Sequence, residues 1–126
     1  MRINKTLTIA AGTPVNLAVA LGLVQAVTAA TTPIWANRVF AQMLAGGTGL
    51  GYVMDLDAFA AGTQAAVATN GHLTAQLAPA TATAPGGAYG DAVAGVGQGG
   101  LVDVTKFWID GAHSGDTVVT SVNLRI

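Results

Sequence analysis

The residues of this chain that could do chemistry are concentrated in one short polar segment. This segment runs from Asp110 to Asp116 and also contains His113 and Ser114, and apolar stretches flank it on both sides. A serine beside a histidine suggests a nucleophile with its general base, but such a pair also needs an orienting acid and an oxyanion site. Adjacent residues of a tight loop seldom aim a hydroxyl at an imidazole, and aspartates beside glycines are typical turn formers. We therefore expect a turn here and no catalytic residue.

The acidic residues and the histidines are also the candidates for a metal site. Calcium favours clustered carboxylates and carbonyls, and zinc needs three or four ligands in a defined geometry. No calcium-loop pattern is present, since Asp110 is followed by Gly111 and two residues that are not ligands. The chain has no cysteine, which excludes thiolate sites and disulfides. We expect no metal and no cofactor, although further candidate ligands exist at Asp55, Asp57, Asp103 and His72.

Two glycine-rich stretches invite comparison with phosphate-binding loops. Gly95–Gly100 reads GVGQGG and matches G-x-G-x-x-G. A dinucleotide site needs that motif after a strand and at the start of a helix, whereas here a loop precedes it and a strand follows. Gly46–Gly51 misses the spacing and also leads into a predicted strand. Nucleotide binding is therefore not expected.

Composition favours a subunit of an assembly over a free monomer. The chain has 126 residues, a formal net charge of −1 and only 9% charged residues, against roughly 25% in an ordinary soluble domain. Low net charge favours association over solubility. The basic residues are spread along the sequence, which gives nucleic-acid binding no electrostatic basis. The apolar run 17–30 is too short and too interrupted for a transmembrane helix of about 20 residues, so no membrane partner is expected.

Hydrophobic alternation predicts an all-β fold. Period-two patterns indicate strands at 3–11, 35–44, 50–56 and 72–77, and the clearest one runs through the last ten residues. Residues 15–23 fit both a strand and a helix, and we favour extended structure because Gly22 and the valines weaken a helix.

The turn signals suggest how these strands connect. Trp35–Leu56 is predicted to form a hairpin around a glycine-rich loop, and Leu101–Ile126 is predicted to form a closing hairpin. Residues 79–100 are rich in Ala, Gly and Thr, and we interpret them as an extended loop or interaction arm. The expected architecture is a single antiparallel β-sandwich or jelly-roll-like domain over residues 1–126, with long Gly/Ala-rich loops.

Large aromatic residues are the candidate interface anchors. Phe107 and Trp108 are adjacent in a predicted strand, so they face opposite sides of it. One ring should fill the core, while the other should need cover, which a neighbouring subunit could provide. The residues assigned to an interface are Trp35, Tyr89, Phe107 and Trp108.

The two ends of the chain resemble small structural proteins encoded beside the capsid genes of tailed bacteriophages. Those proteins often end in a strand with an aromatic residue, a D-G turn, and G-D-x-V before a last alternating strand; here these are Phe107–Gly111 and Gly115–Val118. They often open with a short strand and a G-T-P turn, here Gly12–Pro14, and Leu77–Pro79 is also similar. The resemblance covers about 40 residues, and the middle of the chain is outside it.

This resemblance implies a capsid decoration or cement protein on the surface of a virion. Such proteins commonly have sandwich or jelly-roll folds, bind the major capsid protein and assemble as symmetric homo-oligomers, with a trimer as the expectation here. Two alternatives remain open: a tail, fibre or baseplate component, and a secreted β-sandwich that binds a carbohydrate or another ligand.

Overall fold

Short strands dominate the computed structural model, which describes residues 1–28, 30–55, 73–90 and 101–125. A single-turn helix α1 spans Leu17–Ala20, and a 3₁₀ turn spans Val104–Lys106. In chain order the strands are β1 (Arg2–Thr8), β2 (Val15–Asn16), β3 (Trp35–Met43), β4 (Gly51–Asp55), β5 (Leu73–Leu77), β6 (Ala88–Tyr89), β7 (Val102–Asp103), β8 (Phe107–Gly111) and β9 (Thr117–Leu124).

These strands form two antiparallel sheets that pack face to face. Sheet A has the order β1-β9-β3-β6, with the short β7 also beside β3, and sheet B has the order β2-β8-β4-β5. All strand pairs among the described residues are antiparallel. The predicted all-β antiparallel sandwich is confirmed.

The pairing scheme is that of a jelly roll. If the two-residue β7 is set aside, the first strand pairs with the last, the second with the next to last, the third with the sixth and the fourth with the fifth (β1–β9, β2–β8, β3–β6 and β4–β5). A long antiparallel hairpin wound around itself gives this pattern, and the winding places alternate pairs in opposite sheets.

The core lies between the sheets and follows the sequence alternation. In β9, Val118, Thr120, Val122 and Leu124 are buried and the residues between them are half-buried, as the period of two predicts. Sheet B contributes Val53 and Ile109 from the opposite side of the core. The fully buried apolar side chains of this cluster include Leu17, Val39, Met43, Val53, Val104, Val118 and Val122.

The two predicted hairpins are wrong. β3 lies in sheet A and β4 in sheet B, and β8 and β9 are likewise in different sheets. Each predicted turn is therefore an arch across the core. Alternation and turn residues specify where a strand begins and ends, but not which strand it pairs with. Here β9 pairs with β1, from the other end of the chain.

The expectation of extended structure over residues 15–23 is correct only for β2. Asn16 ends β2 and caps α1, since its Oδ1 accepts a hydrogen bond from the Val19 N–H at 3.2 Å. Leu17 and Ala18 are then completely buried. The cap and the burial outweigh the weak helix propensity of the valine, and Gly22 follows the helix with φ +76°.

The described part of the predicted 79–100 loop is hydrogen-bonded to the rest of the chain. Gly86 N–H donates to Met43 O at 2.8 Å, Met43 N–H donates to Gly87 O at 3.1 Å, and Gly46 N–H donates to Thr81 O at 2.8 Å. The segment also contains β6. The G-x-G-x-x-G motif, Asp57 and His72 lie outside the described residues. None of the described helices has the length and apolar character that crossing a membrane requires.

Candidate functional site

Asp116 joins the polar turn after β8 to the glycine-rich loop before β4. Its buried carboxylate accepts hydrogen bonds from Gly49 N–H at 2.8 Å and from Thr48 N–H at 3.3 Å. A Cβ on Gly47 would lie 3.0 Å from the carboxylate carbon, and a Cβ on Gly49 would lie 2.7 Å from the His113 Cβ. Gly47 and Gly49 therefore lack room for a side chain because they pack directly against this turn.

The environment of Asp116 favours its charged form. Burial alone would raise the pKa of the carboxyl, but the N–H groups of Gly49 and Thr48 and the hydrogen bond with His113 together hold the pKa below its ordinary value. The His113 Nδ1 lies 3.3 Å from Asp116 Oδ1, and 62% of the His113 side chain is exposed. The pair is consistent with a structural contact at the end of the sandwich.

The other polar residues predicted to form this turn also have structural hydrogen bonds. Ser114 Oγ accepts from Ala11 N–H at 2.9 Å, which attaches the turn to the β1–β2 connection. Asp110 is buried and accepts from Gly111 N–H at 2.8 Å, and burial raises the pKa of its carboxyl despite the N–H groups of Gly111 and Gly12. Ser114 and His113, considered as a nucleophile with its base, thus have different partners: the Ala11 N–H for Ser114 and the Asp116 carboxylate for His113.

Asp103 has a similar structural role beside the start of β3. Its Oδ1 accepts from Thr105 Oγ1 at 2.7 Å, from Thr105 N–H at 3.0 Å and from Ile34 N–H at 3.2 Å. It caps the 3₁₀ turn and fixes the approach to β3. Within the described ranges, no three metal-ligating side chains come together.

Phe107 and Trp108 are both buried, on opposite sides of sheet B. Phe107 is 4% exposed in the main core, and its ring lies 5.7 Å from the ring of Tyr89, which is half-buried. Trp108 is 6% exposed and packs with Met54, Val27 and Tyr52 in a separate small cluster. The chain itself covers both rings, so the expected need for a neighbouring subunit over one of them does not arise. The indole N–H of Trp108 has no hydrogen-bond partner among the described residues.

Trp35 is the predicted interface residue that is accessible. It begins β3 with 44% of its area exposed, while the next residue, Ala36, is completely buried. Its side chain therefore projects from the outer face of sheet A. Of the four candidates from the sequence, only Trp35 presents a large exposed aromatic surface.

A shallow depression on the same outer face was not found by sequence reasoning. It has a volume of about 250 Å³ and is lined by Arg2, Arg38, Phe40, Ser121 and Asn123. Arg2 and Arg38 are far apart in sequence, but both are in register with Asn123, one from each side of β9. Only the order β1-β9-β3 brings these two arginines together, and no local pattern indicates that order.

Comparison of the chain with protein-family models, curated proteins and solved structures found no match. The candidate site therefore rests on geometry, and it consists of the outer face of sheet A, which carries both Trp35 and the depression.

Proposed function

We propose that this protein is a structural component of a tailed-bacteriophage particle that decorates and stabilises the capsid by bridging major capsid subunits. The resemblance of its two ends to virion proteins supports this proposal, as does the very low content of charged residues. The jelly-roll sandwich is compatible with it, although many unrelated functions use such folds. The mechanism is non-enzymatic, and the protein acts by covering seams between subunits.

The observation that carries the proposal is the exposure of Trp35 on a rigid strand. The Trp35 carbonyl accepts from Arg125 N–H at 3.0 Å, and the residue is also in register with Asp103 of β7. Its backbone is thus fixed from two sides while 44% of the residue remains exposed. Tryptophan is enriched at interface hot spots, and a side chain on a fixed backbone loses little entropy when it is buried.

Weak single contacts are sufficient for such a role. A capsid presents many equivalent sites, and an oligomer that engages several of them gains affinity through a high effective concentration. The proposal therefore includes a homo-oligomer of this protein that binds several copies of the major capsid protein. A virion surface location follows from it.

The experiment uses shells of the phage that encodes this chain, prepared without the protein and then decorated with purified variants. We expect the wild-type protein to raise the temperature and pressure at which the shells break. Trp35→Ala should bind on the order of tenfold or more weakly, as a hot-spot residue does. Val19→Ala is the matched control, because Val19 is also exposed, at 36%, but lies on α1.

The outcomes separate the alternatives. Equal heat and pressure resistance of bare and decorated shells would overturn the stabilising role. Labelled protein found on the tail in particle images would overturn the head location. Equal losses of binding for Trp35→Ala and Val19→Ala would remove Trp35 as the anchor.

A further inference from the structure

We propose that the depression on the outer face of sheet A is a binding site for a small ligand that carries a carboxylate. The proposal rests on the placement of Arg2 and Arg38 and on the groups around them, and it is independent of the capsid role. An acidic monosaccharide has the size and chemistry that the site fits.

Strand register places the two arginines in one row. Arg2 of β1 and Arg38 of β3 both pair with Asn123, which lies between them on β9. With strands about 4.8 Å apart, their Cα atoms are roughly 10 Å from each other, a span that two long side chains can close over Asn123. The lining of the depression contains no acidic residue in the described part of the chain.

The second row completes the site. Ser121 is the next outward residue of β9, and Phe40 pairs with it from β3. Ser121 supplies a hydroxyl and Asn123 an amide, while Phe40 provides an apolar wall. A few polar groups beside an aromatic surface are typical of small-molecule sites.

The charged groups suit a carboxylate in particular. Guanidinium is planar and donates two parallel hydrogen bonds to the two oxygens of a carboxylate. Arg38 already has an interaction within the chain, but its guanidinium carries five N–H donors and can serve more than one acceptor.

The backbone fixes both arginines. Leu124 N–H donates to Met1 O at 2.7 Å, which anchors the residue before Arg2 to β9. On the other side, the register between β3 and β9 shifts between Ala36 and Arg38, a bulge that brings Arg38 opposite Asn123. Bulges re-aim side chains in this way at functional positions.

The volume of the depression limits the size of the ligand that it can hold. About 250 Å³ lies just below the usual range of roughly 300–1,000 Å³ for ligand pockets. It accommodates one ring or one short acid. A dissociation constant on the order of 1 mM is expected for a ligand of that size.

The test is a titration of the isotope-labelled protein with glucuronate, followed by NMR of the backbone amides. We expect saturable shifts at Phe40, Ser121 and Asn123, and weakening as salt is added. Arg2→Gln and Arg38→Gln should each weaken binding on the order of tenfold, and their thermal midpoints will show whether they are folded. Arg125→Gln is the control, since Arg125 is exposed but does not line the depression.

Two further probes define what is recognised. Glucose has the same ring without the carboxylate, and equal binding of glucose would overturn the proposal. Binding of inorganic phosphate with none of glucuronate would also overturn it, as would the absence of saturation with glucuronate or equal binding by the folded arginine variants.

Discussion

Two buried carboxylates in one turn illustrate how the surroundings of a residue decide its role. Asp110 and Asp116 are both at most 5% exposed, but hydrogen-bond donors surround Asp116 more completely. Burial raises the pKa of Asp110, while the N–H donors and His113 lower that of Asp116. The same residue type, six positions apart, therefore affects stability with opposite pH dependence.

The signs follow from proton linkage. Asp116 stabilises the fold above the ordinary pKa of 3.8, and this contribution is lost as pH falls through its lower folded pKa. For Asp110 the folded state binds the proton more tightly, so stability falls as pH rises from 3.8 through its raised folded pKa. Ionising Asp110 in the folded protein therefore carries a net desolvation cost, whereas ionising Asp116 does not.

We predict that Asp116→Asn and Asp110→Asn shift the thermal midpoint in opposite directions at pH 7. Asp116→Asn should lower stability by about 1–3 kcal/mol, because an amide NH₂ would face N–H donors. Asp110→Asn should raise stability, since the amide oxygen can still accept from Gly111. Both differences should shrink at pH 3 in thermal unfolding followed by circular dichroism. Shifts of the same sign at pH 7 would contradict the assigned environments.

At the level of elements, the loop between β3 and β4 is held by close backbone packing. We predict that Gly49→Ala destabilises the protein by about 1–3 kcal/mol, because the new Cβ would lie 2.7 Å from His113 Cβ and 3.0 Å from its backbone nitrogen. Urea unfolding measures the difference.

Gly90→Ala is the matched control for that substitution. Among the described residues, a Cβ at Gly90 would meet only Phe40, at 4.0 Å, so a change within about 0.5 kcal/mol is expected. Equal losses of stability in the two variants would contradict the role of the contact with His113, because the reduced entropy of the unfolded chain favours the folded state in both variants.

The elements also show which information the sequence carries locally. The strands at Trp35–Met43, Gly51–Asp55 and Thr117–Leu124 were predictable, since alternation and β-branched residues act within each segment. The partner of each strand was not, because it depends on contacts between distant segments. The Arg2–Arg38 row could not be predicted for the same reason. The burial of Trp108 was also unpredictable, because it depends on contacts with Val27, Met54 and Tyr52.

At the level of the whole molecule, the jelly-roll winding leaves sheet edges that the protein must protect. β2, β6 and β7 have two residues each, which limits edge-to-edge pairing. β1 is longer, with seven residues, and β9 is the only described strand that pairs with it. Lys5 lies in the middle of β1 and pairs with Thr120, whose side chain is fully buried, so Lys5 points toward the inner side of the sheet.

We infer that Lys5 protects the β1 edge against pairing with another chain. Its Nζ donates to Ala20 O at 2.7 Å, which places the charge at the rim beside α1. A second chain pairing with β1 would have to displace or desolvate this ammonium group, and inward-pointing lysines are a known device against such pairing. We predict that Lys5→Val increases self-association beyond whatever oligomer the wild-type protein forms.

Sedimentation velocity over a range of concentrations tests this prediction. Thr6→Val is the control, because it adds a β-branched apolar side chain to the same strand at an exposed position while leaving Lys5 in place. Lys5→Val should shift the mass distribution to larger species as concentration rises, and Thr6→Val should follow the wild type. If the two variants associate equally, added apolar area on β1 rather than loss of the inward charge controls association.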